Sequence, residues 1–317
     1  MTTALQPHYG TTTRYGRRRR VLPGAVLAVL LATTAFVAAR ELRNDSDRGY
    51  LSTDGWPARG QGAYVLGNGR PAVSPRQRPA PIASLAKVMT AYLVLKHYPL
   101  AAADSGPRFV VDQRDVVDTE SRRREDQSIV DVRAGEQLTE RDALMSILLP
   151  SANNIAVLVA RHVDGSVASF IAEMNRTAHA LGMSQTTYTD PSGFDEHTVS
   201  TALDQLRLAR VVADNGTLAA MMATRSYSLP VAGKVTNTNT LIGQDGFVGM
   251  KTGSDRAAGG CFMFRAVWHT GSGDVTLIGV VLGQRGRGLI NAGLSEARRL
   301  VDRLAVGGAP GGLPPQQ

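Results

Sequence analysis

Behind four consecutive arginines, Arg17 to Arg20, the chain runs from Val21 to Ala39 through nineteen residues without a charge. No other feature constrains the fold so strongly. Such a run is just long enough to cross about 30 Å of hydrocarbon as a helix. The arginines keep residues 1–20 on the cytoplasmic side and send everything beyond residue 39 outward. A cleavable signal peptide is the competing reading, with Val37 and Ala39 as acceptable residues before the cut. The long N-terminal tail and the length of the run favour an uncleaved anchor. A buried core helix behind four arginines is the bland alternative. On either of the first two readings the body of the protein is exported, held at the cell membrane or, if cleaved, secreted.

That placement changes what the charge means. The formal net charge of +8 over 317 residues suggests a nucleic-acid partner until it is located. Residues 1–40 hold six arginines and no acid, so the remainder is close to balanced. The basicity is a terminal tag, and no nucleic acid is expected. The single cysteine, Cys261, lies in the apolar run Cys261-Phe262-Met263-Phe264 and reads as a small core residue. There is no CxxC, no HExxH and no clustering of the six histidines, so neither a metal nor another cofactor is expected.

Beyond a polar linker over residues 40–60, one domain is expected over 61–306, followed by a Gly/Pro-rich, disordered tail over 307–317. A short apolar stretch around Gly62–Leu66 is followed by the hairpin turn signal Gly67-Asn68-Gly69, and residues 71–81 read as an irregular connection. Helical patterns cover Ser84–His97, Thr139–Leu149, Asn153–His162, Ser166–Leu181, Leu203–Ala213 and Leu289–Leu304. Period-two runs at Phe247–Thr252, Gly260–Trp268 and Val275–Leu282 predict three strands. The highly charged stretch Arg108–Gln127 reads as a solvent-exposed excursion. Together these give an α+β fold with helices in the middle and an antiparallel sheet assembled from both ends of the domain.

Three short motifs stand in order. They are Ser84-Leu85-Ala86-Lys87, then Ser151-Ala152-Asn153 67 residues on, then Lys251-Thr252-Gly253 after 100 more. Each alone is weak: a capping serine with a surface lysine, an N-cap, an exposed basic strand end. Their order and local context carry the weight. A serine hydroxyl needs a base within hydrogen-bond reach. Positions i and i+3 of a helix share a face, which sets the Lys87 amine beside Ser84, and apolar neighbours lower a lysine pKa toward a useful value. Ser84 at a helix N-terminus could supply one oxyanion-hole N–H, and Ser254 the second. Ser151 falls on the turn after Pro150, placed to shuttle a proton to a leaving amine. Asn153 would contact substrate backbone and steady Lys87, with Asn154 a competitor that spacing does not exclude. At a strand end, Lys251 would supply a fixed positive charge, Thr252 a hydroxyl for a terminal carboxylate, and Gly253 close backbone approach.

The chain resembles the low-molecular-mass D-alanyl-D-alanine carboxypeptidases, penicillin-binding serine peptidases, from about Gly62 to Leu304. Besides the three motifs, Pro81-Ile82-Ala83-Ser84 and Ala134-Gly135-Glu136-Gln137-Leu138-Thr139 are similar to family segments. So are Leu148-Leu149-Pro150-Ser151-Ala152-Asn153-Asn154, and Asp190-Pro191-Ser192-Gly193 with His197, Thr201, Ala202 and Asp204. Gly249-Met250-Lys251-Thr252-Gly253 with Ala258-Gly259 and Cys261 completes the set. The resemblance implies the β-lactamase/transpeptidase-like fold, an antiparallel sheet flanked by helices beside an all-helical lobe. It implies Ser84 as acyl-ester nucleophile, Lys87 as proton acceptor, Ser151 and Asn153 as their partners, and Lys251 as a substrate contact. Peptidoglycan stem peptides would be the substrate and β-lactams covalent inhibitors.

Three departures bear on function. Where the family often carries Asn-Arg-Asn, with Arg holding the terminal carboxylate, this chain has Asn237-Thr238-Asn239. It ends too soon for the family's C-terminal β-rich domain and membrane helix, leaving the N-terminal segment to anchor it. The charge of Gln113–Asp131 marks a place where substrate preference could depart from muramyl pentapeptide. Two rival functions differ in kind. A β-lactamase needs a glutamate to position the deacylating water, and neither Glu173 nor Glu196 stands in a Glu-x-x-Leu-Asn-like context. An inactive cell-wall-binding scaffold is opposed by intact Ser84, Lys87 and Lys251.

Overall fold

The computed structural model describes residues 56–270 and 273–306; the expected tail, membrane segment, most of the linker and the C-terminal tail lie outside them. Its strands are β1 (Gln61–Leu66), β2 (Ala72–Val73), β3 (Ala80–Pro81), β4 (Arg108–Val110), β5 (Gln137–Thr139), β6 (Val199–Ser200), β7 (Ser226–Leu229), β8 (Gly233–Thr236), β9 (Phe247–Asp255), β10 (Gly259–Thr270) and β11 (Gly273–Gln284). Its helices are α1 (Ala86–His97), α2 (Gln113–Arg124), α3 (Glu140–Leu148), α4 (Asn153–Asp164), α5 (Val167–Ala180), α6 (Ala202–Ala213), α7 (Gly216–Met222) and α8 (Leu289–Val306).

Alternation builds the sheet. In β10, Phe262 and Phe264 point to one face and Cys261 and Met263 to the other, as a pleated strand requires. The first face carries Tyr64, Phe247, Trp268 and Val281 and packs under Leu294, Ala297, Leu300 and Val301 of α8. The second, with Ala63, Val65, Val280 and Leu282, closes on the helical layer. The five-stranded order is β2-β1-β11-β10-β9, antiparallel at every pairing, so β9 is an edge. Trp56 stacks near Tyr64, with ring centroids 5.4 Å apart, so the packed body takes in the last residues of the expected linker.

The helices follow their sequence signals closely. Thr139 and Asp142 form a capping box that starts α3, which stops at Leu148 just before Pro150. Gly165, at φ +73°, ends α4, and the Ser166 hydroxyl caps α5. In α1, nine of twelve residues are buried, including Lys87.

The segment Arg108–Gln127 keeps the expected exposure over much of its length but is regular, not an irregular excursion. Residues 108–110 pair with β5, and 113–124 form α2. This helix lacks an apolar stripe, so periodicity passes over it. A capping box between Asp112 and Asp115 starts it, the Arg122–Asp118 pair braces it, and buried Asp115 meets Arg161 of α4 at 2.5 Å. Periodicity also passed over α7, the β7–β8 hairpin and the two short strands within residues 71–81.

Candidate active site

Ser84 sits in a single 3₁₀ turn, Ala83–Leu85, immediately ahead of α1 rather than inside it. Ala83 takes φ +47°, and the approach is held by β3 pairing with β6. One turn on, Lys87 is fully buried and donates from Nζ to Ser84 Oγ at 2.8 Å. That is the contact expected from the i, i+3 spacing.

The second bond of the Lys87 amine runs to the Ser192 carbonyl, also at 2.8 Å. No hydrogen bond joins Asn153 to Lys87 in this structure; the amine's second partner is a backbone carbonyl from 105 residues away. In the sequence, Asp190-Pro191-Ser192-Gly193 stands out only as a segment similar to the family's. The structure explains it. The Asp190 carboxylate accepts from the N–H groups of Ser192, Gly193 and Phe194 and from the hydroxyls of Ser192 and Thr198. Thr90 of α1 donates to the Pro191 carbonyl at 2.6 Å. The loop is thereby fixed with a carbonyl aimed at the amine. Gly193 is required there, because its φ is +78° and a Cβ would lie 1.9 Å from the Ala83 oxygen.

Burial holds the Lys87 pKa well below the ordinary lysine value, and the positive charges of Lys251 and Arg122 push the same way. Asp190 opposes them. A neutral amine 2.8 Å from a hydroxyl can take its proton.

Ser151 occupies the turn between α3 and α4 at φ +69°, with its hydroxyl buried and without a hydrogen-bond partner among the described residues. The turn expected after Pro150 is thus present. Asn153 opens α4; its NH₂ donates to Gln127 Oε1 at 2.7 Å, and its oxygen is buried without a partner. Asn154 is satisfied structurally: it bonds the backbone N–H and C=O of Val130 and the hydroxyl of Thr119. Of the two asparagines, only Asn153 keeps a polar side-chain atom without a partner among the described residues.

Lys251, Thr252, Gly253 and Ser254 lie on β9, which ends the sheet and, among the described residues, has no strand paired on its outer side. A Cβ on Gly253 would come within 3.0 Å of Ser84 N, which puts the strand against the nucleophile's turn. Close approach here is first to the protein's own backbone. The expected fixed charge on Lys251 needs correcting. The residue is fully buried, donates to the Thr252 carbonyl at 3.0 Å, and burial brings its pKa down to about 7. Its charge is conditional near neutral pH. Thr252 Oγ1 lies 2.5 Å from Thr238 Oγ1, and Thr238 N donates to the Leu149 carbonyl, which ties the third motif to the turn bearing the second. Among the described residues no cluster of His, Cys, Asp or Glu could hold a metal ion.

Comparison with known proteins fits this geometry. Residues 73–286 match the family described as D-alanyl-D-alanine carboxypeptidase. The chain is 33% identical over 198 residues to a D-alanyl-D-alanine endopeptidase of Escherichia coli, covering 59% of each chain. It is 28% identical over 281 residues to the D-alanyl-D-alanine carboxypeptidase DacC of the same organism, covering 84% of this chain and 64% of that one. It thus spans less than two thirds of the length of these relatives. In fold it is similar to a Streptomyces DD-transpeptidase, with a TM-score of 0.66 at 24% identity over 77% of this chain and 97% of that one. Penicillin binding protein 5 from Haemophilus influenzae gives 0.67 at 21% identity over 79% and 72%.

Proposed function

The chain belongs to the D-alanyl-D-alanine carboxypeptidase family, and from that premise we propose that it is a penicillin-binding serine peptidase that cleaves D-Ala-D-Ala termini of peptidoglycan stem peptides. The observation that carries this reading is the 2.8 Å contact between a buried, deprotonation-prone Lys87 amine and the Ser84 hydroxyl.

In the proposed reaction Ser84 Oγ attacks the carbonyl carbon of the scissile peptide bond, and its proton passes to Lys87 Nζ. The Ser84 and Ser254 N–H groups receive the developing oxyanion. As the C–N bond breaks, the proton is handed through Ser151 Oγ to the departing amine, leaving an ester on Ser84. Water then attacks that ester as Lys87 takes its proton; the bond from the acyl carbon to Ser84 Oγ breaks, Lys87 returns the proton to Ser84 Oγ, and the acid product leaves. Thr252 and, while protonated, Lys251 face the terminal carboxylate, and Gly253 lets β9 lie close to the nucleophile. No metal or cofactor enters.

Intact-mass analysis after benzylpenicillin tests the reading. Wild type should gain one penicilloyl adduct and Ser84→Ala none. A wild type without adduct would leave the scaffold reading standing, and rapid turnover of a chromogenic cephalosporin would favour a β-lactamase.

A second reading, endopeptidase, is favoured by one observation. Thr238 brings a hydroxyl, not a cation, to Thr252, so a free terminal carboxylate is held less tightly than in relatives with Arg there. The relative at 33% identity bears the endopeptidase name. Residues 21–39 are proposed to anchor the enzyme, with its catalytic domain outside the cytoplasm; no single helix among the described residues is long and apolar enough to span a membrane.

A further inference from the structure

Gln127 closes the charged segment that follows α2. Its Oε1 accepts two hydrogen bonds, from Arg122 Nη1 at 2.9 Å and from Asn153 Nδ2 at 2.7 Å. A guanidinium can only donate, so the end of the Gln127 amide turned to Arg122 has to be the oxygen. An oxygen there accepts only a donor from Asn153, which forces that side chain to present its NH₂.

Arg122 is itself held in place. Its Nε donates to Asp118 Oδ2 at 2.6 Å, and its carbonyl accepts from Gln127 N at 3.0 Å. Asn153 N donates to the Ser128 carbonyl at 2.7 Å, so the backbone joins the same segment. What remains is Asn153 Oδ1, buried with no hydrogen-bond partner, two residues from the equally unpartnered Ser151 hydroxyl.

We propose that Arg122 and Gln127 are positioning residues that lock the Asn153 amide with its oxygen as the free end, so that the site offers an acceptor to an N–H donor. The inference rests on the acyl-transfer reading above and specifies the polarity of its second motif. The donor has one chemistry and two sources, the Lys87 ammonium formed during acylation or an amide N–H of the substrate. The second N–H of the same NH₂ is not taken by Gln127, so the lock fixes where the acceptor stands and does not remove the donor.

The test uses the full chain with Gln127→Met and Gln127→Glu, reading the acylation rate constant with benzylpenicillin on its high-pH plateau, alongside thermal melting. Met removes the acceptor seen by both donors, and acylation should fall about tenfold with melting little changed. Glu retains an oxygen toward both donors and should recover the rate to within about threefold. Sulbactam, which lacks the side-chain amide, separates the sources: an equal loss with it assigns the donor to Lys87, and a smaller loss assigns it to the substrate. Wild-type rates in Gln127→Met, or equal losses in both variants, would overturn the proposal. If wild type forms no adduct, the acyl-transfer reading fails separately. The lock is then read from the Asn153 side-chain NH₂ resonances, which must move in Gln127→Met if it exists.

Discussion

Thr238 and Thr252 share a hydroxyl–hydroxyl hydrogen bond of 2.5 Å, joining the segment after β8 to the edge strand beside the nucleophile. The pair puts a neutral group where a carboxylate clamp would need a charge. Thr238→Arg is expected to lower KM for a peptide ending in free D-Ala-D-Ala about tenfold, the size of one charge-assisted hydrogen bond. A matched substrate with its terminal carboxylate blocked should not respond. Equal effects on both substrates would contradict the assignment of this corner.

The pH dependence of acylation should report the two buried lysines. Lys87 acts as base only when neutral, so acylation rises with pH through its depressed titration. The charges acting on it are Lys251 on β9 and Arg122 on α2, which lower its pKa, and Asp190 on its loop, which raises it. Lys251→Met removes a like charge, so the Lys87 pKa should rise and the ascending limb move to higher pH. Stability carries the matching sign. Lys251 titrates near 7 when folded and near 10.5 when unfolded, so between those values the unfolded chain binds more protons and stability increases with pH. Melting temperatures should climb more gently from pH 7 to 10 in Lys251→Met than in wild type.

The neighbouring asparagines should separate into kinetics and stability. Asn154→Ala deletes three buried hydrogen bonds to Val130 and Thr119 and should cost about 3 kcal/mol in denaturant unfolding. Asn153→Ala should slow acylation by about tenfold or more while costing about 1 kcal/mol of stability. The reverse pattern would mean that the two roles have been exchanged.

Two glycines should fail differently. A Cβ at Gly193 would strike the Ala83 carbonyl at 1.9 Å from a backbone at φ +78°, so Gly193→Ala should destabilise by about 3 kcal/mol. At Gly253 the contacts are 2.8 Å to Leu85 Cδ1, 3.0 Å to Ser84 N and 3.1 Å to the Ile82 carbonyl. Gly253→Ala should displace β9 from the nucleophile's turn, lowering acylation about tenfold with a smaller loss of stability. Calorimetry and acylation rates together distinguish the two.

Much of this was legible in the residues. Alternation gave β9, β10 and β11, and the i, i+3 spacing anticipated the Ser84–Lys87 contact. Pro150 anticipated the Ser151 turn. What escaped notice has a common physical cause. Helix α2 is held by a capping box and ion pairs, which leave no hydrophobic period to detect, although Asp112-x-x-Asp115 was a usable signal. The Ser192 contact is made by a carbonyl that every residue possesses, so side-chain identity does not announce it. The conditional charge of Lys251 depends on complete burial, a property of the assembled sheet and not of the Lys-Thr-Gly triplet.

The pairing of β1 with β11 sets when this molecule can come into being. Gln61 lies opposite Leu282, so among the described residues the earliest strand is gripped on one side by the last to be synthesised. Until that final ribbon arrives, β1 lacks its long ladder partner, and Val280 and Leu282 are missing from the face that closes on the helices. Assembly must wait for contacts spanning some two hundred residues, a topology that folds slowly and leaves early segments in need of protection. A chain halted before Val275 would therefore accumulate as a protease-sensitive fragment, however intact its nucleophile.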